Sequence, residues 1–147
     1  MKKLVYTFRT YPWLDELKSA VGQDIFIFGN LKIDLDKFKI LIDSEHPDSI
    51  IGIAKSPRHN SQLEPYAINI FNGKKIDKES SKDLYELCCP NINNIMINNT
   101  PTNSFCNWTM FKIAQYLDTR KCDTKFTFIH IKKEDLSLLS NFDNCKL

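Results

Sequence analysis

The segment NNTPTNSFCNW, residues 98–108, joins a short apolar run to a longer helical pattern. The run 94–97 has the length of a strand, and the residues after the segment repeat apolar side chains with helical spacing. One cysteine, Cys106, lies where the predicted helix begins, among unpaired backbone N–H groups and at the positive end of the helix dipole. A thiolate is favoured there relative to a free cysteine, so we expect Cys106 to be reactive.

The same alternation of apolar runs and helical patterns continues along the chain. A three-to-four spacing of apolar residues predicts a helix from about Leu35 to His46-Pro47, where proline ends it. Three more helices are predicted, over residues 83–89, over residues 106–117 and from about Glu134. Six apolar runs predict strands, over residues 4–8, 25–28, 49–54, 66–71, 94–97 and 125–131. Strands that are apolar on both faces and separated by helices favour an α/β fold whose mostly parallel sheet is covered on both sides.

Composition excludes several classes of protein. The 147 residues, 42% of them hydrophobic, predict a single domain over residues 1–147. Lys plus Arg (20) nearly balance Asp plus Glu (18), and arginine occurs only at Arg9, Arg58 and Arg120, so no arginine-bearing basic face suggests a nucleic-acid partner. No apolar stretch approaches the ~20 residues that span a bilayer, and no signal-peptide core is visible. We therefore expect a soluble, cytoplasmic protein.

The cysteines argue against both disulfides and metal. Five is an odd number, and none of the five belongs to a C-x-x-C pair. Neither a disulfide framework nor a structural zinc site is expected, and reduced thiols in a cytosol fit best.

Three residues suggest a catalytic site. Cys106 is a candidate nucleophile that attacks a carbonyl carbon and forms an acyl-enzyme. His130 ends the apolar run of the last predicted strand and is a candidate general base, and Glu64 is a candidate for orienting its ring. Backbone N–H groups near Cys106 are candidates for stabilising an oxyanion.

Each of the three residues also has an ordinary structural interpretation. Free cysteine is commonly a small buried hydrophobic residue. A histidine at the end of an apolar strand is often a satisfied structural group, and a glutamate before a proline is often solvated. Residue types and spacing leave both interpretations open.

Several blocks of the sequence resemble the type I pyroglutamyl peptidases, also called pyrrolidone-carboxylate peptidases. HPDSIIGI (46–53) is similar to the family's K-P-D-x-x-I-G-L segment, and EPYAINI (64–70) to its E-R-x-A-I-N-I. The segment at 98–108 resembles S-N-T-A-G-x-x-x-C-N-H, and FIHI (128–131) resembles F-I-H-V/I-P. Glu64, Cys106 and His130 follow the family order, with 24 positions from the cysteine to the histidine. TFRTY (7–11) resembles the T-G-F-x-P-F loop more faintly.

The resemblance implies a fold, an activity and a set of roles. The fold would be a three-layer α/β/α sandwich with a mostly parallel central sheet, and the activity would be removal of an amino-terminal pyroglutamyl residue from peptides, without metal or cofactor. Glu64, Cys106 and His130 would form the catalytic triad. The remaining roles are two: Phe8, Tyr11 and Phe105 would bind the substrate, and Arg58 and Lys74 would support the oxyanion. Members of the family are commonly homo-oligomers, so we also expect a possible homo-oligomer and a peptide partner with a blocked amino terminus.

The sequence also departs from the family pattern. Glu64 and Cys106 are only 42 residues apart, which is shorter than usual, Ala54 replaces a common pocket glutamine, and Pro101-Thr102 replaces Ala-Gly before the nucleophile. Two hypotheses follow. The chain is either an active cysteine omega-peptidase or a family relative without activity that serves as a binding or interaction module.

Overall fold

The computed structural model describes residues 2–102 and 104–144. Asn103 and Cys145, which belong to the segment and to the cysteine set discussed above, lie outside the described residues. Within them, strands and helices follow one another in the order β1 (Lys3–Phe8), α1 (Leu14–Val21), β2 (Phe26–Phe28), α2 (Leu31–Glu45), β3 (Ser49–Lys55), β4 (Ser61–Leu63), β5 (Tyr66–Ile68), β6 (Leu84–Glu86), β7 (Ile95–Ile97), α3 (Phe105–Thr119), β8 (Lys125–Ile131) and a 3-10 helix (Lys133–Asn144).

The central six-stranded sheet is mostly parallel, as predicted. Its strand order is β2-β1-β3-β8-β4-β7. The strands β2, β1, β3 and β8 are parallel to one another, β8 and β4 pair antiparallel, and β4 and β7 pair parallel. Because β4 runs against β8, the residue after β4, Glu64, lies beside Phe128 of β8 and donates its backbone N–H to the Phe128 carbonyl over 3.0 Å.

Helices cover both faces of this sheet, so the three-layer sandwich is confirmed. The alternation of side chains along each strand sends neighbouring residues to opposite faces. One face packs against α2 and α3 through a mainly aromatic core that includes Tyr6, Phe38, Phe111 and Phe128. The other face packs against α1 and the 3-10 helix through an aliphatic core that includes Val5, Leu17, Ile129 and Leu136.

Gly52 allows the aromatic core to approach β3 closely. A Cβ atom at this position would lie 2.5 Å from ring atoms of both Tyr6 and Phe128, which is too close for any side chain. The Tyr6 hydroxyl lies 3.0 Å from Oγ1 of Thr109 in α3. Gly52 and Tyr6 together therefore set how closely the first turns of α3 pack on the sheet.

The helices α2 and α3 begin and end at recognisable residues. Asn30 caps α2 by accepting the N–H of Ile33, and the helix ends at His46, which has a left-handed φ of 47° directly before Pro47. Ser104 caps α3 by accepting the N–H of Cys106 over 3.3 Å. Both helices were predicted. The helix α2 begins four residues before its predicted start and ends at Glu45, just before the predicted end at His46-Pro47, and α3 exceeds its predicted bounds by one residue at its start and two at its end. In the part of the chain that the structure describes, no helix combines the length and the apolarity needed to cross a bilayer.

The predicted short helix over residues 83–89 is wrong. Residues 84–86 form β6, which pairs antiparallel with β5 in a separate two-stranded sheet. Tyr85 of β6 packs its ring edge-on against Phe111 of α3 at 5.3 Å between centroids. A strand partner and this packing, neither of which is visible in the local sequence, override the helical spacing.

Four other elements differ from the sequence predictions. The helix α1 and the strand β4 were not predicted, since α1 has only eight residues and β4 only three. β5 ends at Ile68, three residues earlier than predicted. The predicted fourth helix is present as the 3-10 helix, which begins at Lys133.

Candidate active site

A buried hydrogen bond joins Glu64 to His130. Nδ1 of His130 lies 2.8 Å from Oε1 of Glu64, and the two side chains are 8% and 0% exposed. His130 is the sixth of the seven residues of β8, and Glu64 directly follows β4, so the antiparallel pairing of these strands brings them together. A carboxylate can only accept a hydrogen bond, which assigns the ring proton to Nδ1 and leaves the lone pair of the neutral imidazole on Nε2. This geometry suits a general base and the carboxylate that orients it.

Asn98, the residue after β7, holds the same carboxylate from the other side of β4. Its side-chain amide Nδ2 lies 3.1 Å from Oε1 and 3.0 Å from Oε2 of Glu64. Asn98 itself is fixed by its backbone N–H, which donates to the Leu63 carbonyl, and by its Oδ1, which accepts the N–H of Thr100. The buried carboxylate therefore has a donor on both of its oxygens, which lowers the cost of burying its charge.

Cys106 lies in the first turn of α3 and is 4% exposed. Its backbone N–H is bound by the Ser104 hydroxyl, so the capping residue takes one of the free donors of the helix start. The next residue, Asn107, ties the helix to β5: its side chain accepts the N–H of Ile68 and donates to the carbonyls of Ile68 and Ile70. The start of α3 is therefore held from two sides.

A cavity of about 210 Å³ opens beside Cys106. All three predicted substrate-binding residues line this cavity together with the cysteine. Seven residues line it: Phe8, Thr10, Tyr11, Ala54, Lys55, Phe105 and Cys106. The rings of Phe8 and Phe105 meet edge-to-face at 4.8 Å between centroids, which gives the cavity one aromatic wall. A cavity of this size, against about 30 Å³ for one water in the liquid, accommodates a small ring.

The expectation that Cys106 favours its thiolate form is wrong for this arrangement. Burial raises the pKa of the Cys106 thiol to about 12, and the charge of Glu64 acts in the same direction, while the hydroxyl of Ser104 opposes them. Removing a thiolate from water is costly, and here that cost outweighs the position at the helix start. Cys106 is a neutral thiol at neutral pH. The four described cysteines, Cys88, Cys89, Cys106 and Cys122, are all free.

The thiol of Cys106 and the imidazole of His130 do not share a hydrogen bond. Among the described residues, the His130 ring is bonded to Glu64, and no hydrogen bond joins it to the sulfur of Cys106. Nucleophile and base often stand at looser distances without substrate than during reaction. In this structure the candidate base is hydrogen-bonded to its carboxylate, whereas the candidate nucleophile is not hydrogen-bonded to the candidate base.

The structure does not bring Arg58 or Lys74 to the cavity. Both side chains are exposed, and neither residue lines the cavity beside Cys106. Arg58 lies in the loop between β3 and β4, where its backbone N–H donates to Ser56, and Lys74 lies in a turn closed by its backbone pairing with Phe71. Their supporting role stays a prediction.

Two residues at the site were not predicted from the sequence. Asn98 was noted only as part of the segment 98–108, although an amide directly after a strand and next to the cysteine loop could have suggested a polar contact with a catalytic group. Lys55 lines the Cys106 cavity, and its ammonium lies 5.6 Å from the centre of the Trp13 ring. No local signal distinguishes Lys55 from the other surface lysines.

A larger cavity lies elsewhere. It has a volume of about 780 Å³ and is lined by residues of β6, α3 and the start of β8, including Tyr85, Leu117 and Lys125. None of the predicted site residues lines it. The candidate catalytic cysteine thus lines the smaller cavity and not the larger one.

The fold and the contacts define a three-layer α/β protein with a buried carboxylate–imidazole pair and a cysteine at a helix start. Solved structures with this fold include pyrrolidone carboxyl peptidase from Thermococcus litoralis, with a TM-score of 0.69 and 17% identity over 90% of this chain and 77% of that chain. Pyroglutamyl peptidase I from Bacillus amyloliquefaciens has a TM-score of 0.74 and 14% identity over 95% of this chain and 93% of that chain. A variant of the Pyrococcus furiosus pyrrolidone carboxyl peptidase has a TM-score of 0.72 and 16% identity over 95% of both chains.

The chain thus has the fold of the pyroglutamyl peptidases, which agrees with the resemblance in its sequence. No protein-family model matches the chain, and no curated protein matches it in sequence.

Proposed function

We propose that this chain is a cysteine peptidase of the pyroglutamyl-peptidase type, an omega-peptidase that removes an amino-terminal pyroglutamyl residue from peptides. The observation that carries the proposal is the convergence of Cys106 with Phe8, Tyr11 and Phe105 on one small cavity. The fold shared with pyroglutamyl peptidases and the buried Glu64–His130 contact support it further. The substrate is a peptide with a blocked amino terminus.

In this proposal the cavity binds the ring and leaves the scissile carbonyl at Cys106. The aromatic wall formed by Phe8 and Phe105 contacts the faces of the five-membered lactam. Because Phe105 directly precedes Cys106 in α3, binding of the ring positions the carbonyl carbon next to the sulfur. The backbone N–H groups at the helix start stabilise the oxyanion.

In each half of the proposed reaction, His130 takes up one proton and then returns it. As Sγ of Cys106 bonds to the carbonyl carbon, its proton passes to Nε2 of His130, and Glu64 stabilises the imidazolium that forms. His130 then returns the proton to the leaving amine, the C–N bond breaks and a pyroglutamyl thioester remains. Water, deprotonated by His130, attacks the thioester, the C–S bond breaks, His130 returns that proton to the sulfur of Cys106, and pyroglutamate is released. Since Cys106 begins as a neutral thiol, proton transfer accompanies attack instead of preceding it.

A second candidate function is favoured by one observation. The thiol has a raised pKa and no hydrogen bond to His130, as expected of a relative that keeps the fold for binding without hydrolysis. In that case the cavity would bind a blocked amino terminus and release it unchanged.

The test is release of aminomethylcoumarin from pyroglutamyl-aminomethylcoumarin under reducing conditions. Wild type is compared with Cys106→Ser and with Cys122→Ser, a matched control at an exposed cysteine. We expect turnover by wild type and by the control, and none by Cys106→Ser. A folded wild type that binds pyroglutamyl peptides without turning them over would favour the second candidate. Turnover that survives Cys106→Ser would refute the proposed nucleophile.

A further inference from the structure

The contact between Asn98 and Glu64 has a chemical consequence beyond packing. Glu64 is fully buried, and a buried carboxylate without donors takes up a proton. Nδ2 of Asn98 donates to both carboxylate oxygens of Glu64, at 3.1 Å from Oε1 and 3.0 Å from Oε2. A protonated Glu64 would need an acceptor for its O–H, and Nδ2 can only donate. Its Oδ1, the one acceptor of the amide, is turned to the N–H of Thr100. In this orientation, Asn98 contacts the Glu64 carboxyl group as a donor only.

The ionisation of Glu64 determines which nitrogen of His130 carries the proton. A charged Glu64 accepts from Nδ1–H, which leaves the lone pair on Nε2. A protonated Glu64 would donate to Nδ1, and the ring proton would then lie on Nε2, where it blocks uptake of the thiol proton. An imidazole in the wrong tautomer has little value as a base for the nucleophile.

We infer that Asn98 is a positioning residue that holds the Glu64 carboxylate as the acceptor of Nδ1–H and thereby fixes His130 in the tautomer that can accept a proton from Cys106. The catalytic part of this inference rests on the proposed function. In the similar family segment S-N-T-A-G-x-x-x-C-N-H, serine stands at the position of Asn98, so the amide is a feature of this chain. The site thus extends from three residues to four, although Asn98 touches neither the substrate nor the sulfur.

The other titratable groups near Glu64 do not replace Asn98. Besides His130 on β8, the charge of Glu64 acts on Cys106 in α3 and on Cys89 in the segment after β6. Burial raises the pKa of Cys89 to about 11 and that of Cys106 to about 12, so both thiols are neutral at neutral pH. Within residues 2–102 and 104–144, the side-chain donors to Glu64 are Asn98 and His130.

Two variants separate this role from simple packing. Asn98→Asp keeps the shape of the side chain, the acceptor for Thr100 and the backbone bond to Leu63, and removes the donor. Asn98→Ala removes the whole contact. Asn69→Ala is the matched control, because Asn69 is also a buried asparagine whose Nδ2 donates to a carboxylate, that of Asp83, in the loop after β5.

The first measurement needs no turnover. Nitrogen-15 NMR of the His130 ring at pH 8 reports the tautomer directly, and we expect Nδ1–H in wild type and in Asn69→Ala. In both Asn98 variants the ring proton should move to Nε2. Retention of the Nδ1–H tautomer in both variants would overturn the inference, whether or not the protein is a peptidase.

The second measurement is the pH profile of pyroglutamyl-aminomethylcoumarin hydrolysis. We expect kcat to fall about 10- to 100-fold in Asn98→Ala, with KM within about twofold, since loss of a hydrogen bond to a charged group has effects of this order. The acidic limb of kcat/KM should move to higher pH, because the Glu64–His130 pair takes up its proton more readily without Asn98. It should move further in Asn98→Asp, which places two carboxylates together.

Failure of the proposed function and failure of the inference about Asn98 can be distinguished. If wild type shows no hydrolysis that depends on Cys106, the proposed function fails while the NMR measurement still tests the effect of Asn98 on the tautomer. If wild type is active and the Asn98 variants match Asn69→Ala in kcat, in pH profile and in tautomer, Asn98 is a packing residue only and the inference is wrong.

Discussion

The two sides of the candidate active site differ in how completely they are assembled. On the side of the base, Glu64 accepts from Asn98 and His130, and both strands that supply the pair are fixed in the sheet. On the side of the nucleophile, the thiol of Cys106 is buried and neutral, with no hydrogen bond to the imidazole. In the proposed mechanism the base is therefore preorganised, whereas the nucleophile depends on a substrate that occupies the cavity beside it.

This difference has a physical cause. A buried carboxylate must be satisfied by donors in the folded protein whether or not substrate is present, because water cannot reach it. A buried thiol is a tolerable hydrophobic group and needs no partner. Folding alone therefore completes the Glu64 side, while completion of the Cys106 side is left to binding.

The largest expected effect comes from His130→Ala. If the base is the preorganised part of the site, its loss should lower kcat/KM by about 10²- to 10⁴-fold, the usual contribution of general acid–base catalysis. The measurement is hydrolysis of pyroglutamyl-aminomethylcoumarin, with His59→Ala as the control at an exposed histidine. Equal activity of the two variants would mean that the base lies elsewhere.

Glu64→Gln should have a smaller effect. The amide can still contact His130 but carries no charge to stabilise the imidazolium, so we expect a loss of about 10- to 100-fold, mainly in kcat. Glu86→Gln, at an exposed position of β6, is the control. A loss as large as that of His130→Ala would show that orientation and proton transfer cannot be separated at this site.

Alkylation kinetics test the nucleophile side directly. At pH 7 and without substrate, iodoacetamide should label the exposed Cys122 at least about tenfold faster than Cys106, because the thiolate is the reacting form and burial raises the pKa of Cys106. Labelling of Cys106 should rise about tenfold per pH unit and continue rising above pH 9, whereas an unperturbed thiol, with a pKa near 8.5, levels off. Peptide mapping over a pH series gives both rates. Preferential labelling of Cys106 at pH 6 to 7 would contradict the contrast between the two sides.

Gly52→Ala should change activity least and act mainly on stability. The added Cβ would overlap the rings of Tyr6 and Phe128, and overpacking of this kind costs about 1–3 kcal/mol. Thermal unfolding should show a lower Tm than wild type, whereas Gly29→Ala, whose added Cβ finds only ordinary contacts at 3.7 Å or more, should not. Equal Tm values for the two variants would show that the aromatic core adjusts around β3.

Much of the fold could be predicted from the sequence because its long elements carry strong local patterns. The strand β8 has a continuous apolar run, and α2 ends at a proline, so both were found within a few residues. The helix predicted over residues 83–89 failed because β6 exists through its pairing with β5 and the contact of Tyr85 with Phe111. Such partners lie far away in sequence.

In the candidate site, too, local motifs indicated some residues, whereas other features depend on partners that are distant in sequence. Motif resemblance drew attention to Glu64, Cys106 and His130. The fold brings Glu64 and His130 into contact and places Cys106 at the cavity that Phe8 and Phe105 also line. Asn98 was not predicted: its position after a strand could have suggested a polar contact, but the partner, Glu64, is set by the parallel pairing of β7 with β4, and neither strand exceeds three residues. The raised pKa of Cys106 was not predicted either, because it follows from burial of the thiol when the chain packs.

The measurement that tests the central claim most directly is covalent capture of Cys106 by a substrate-like reagent. Wild type, Cys106→Ser and His130→Ala are incubated at pH 7.5 with pyroglutamyl chloromethyl ketone, and the modified residue is located by peptide mass spectrometry. The account predicts an adduct on Cys106 of wild type that forms faster than the iodoacetamide adduct, slows in His130→Ala and is absent from Cys106→Ser. Modification of Cys122 instead, or no modification of Cys106 in folded wild-type protein, would contradict it.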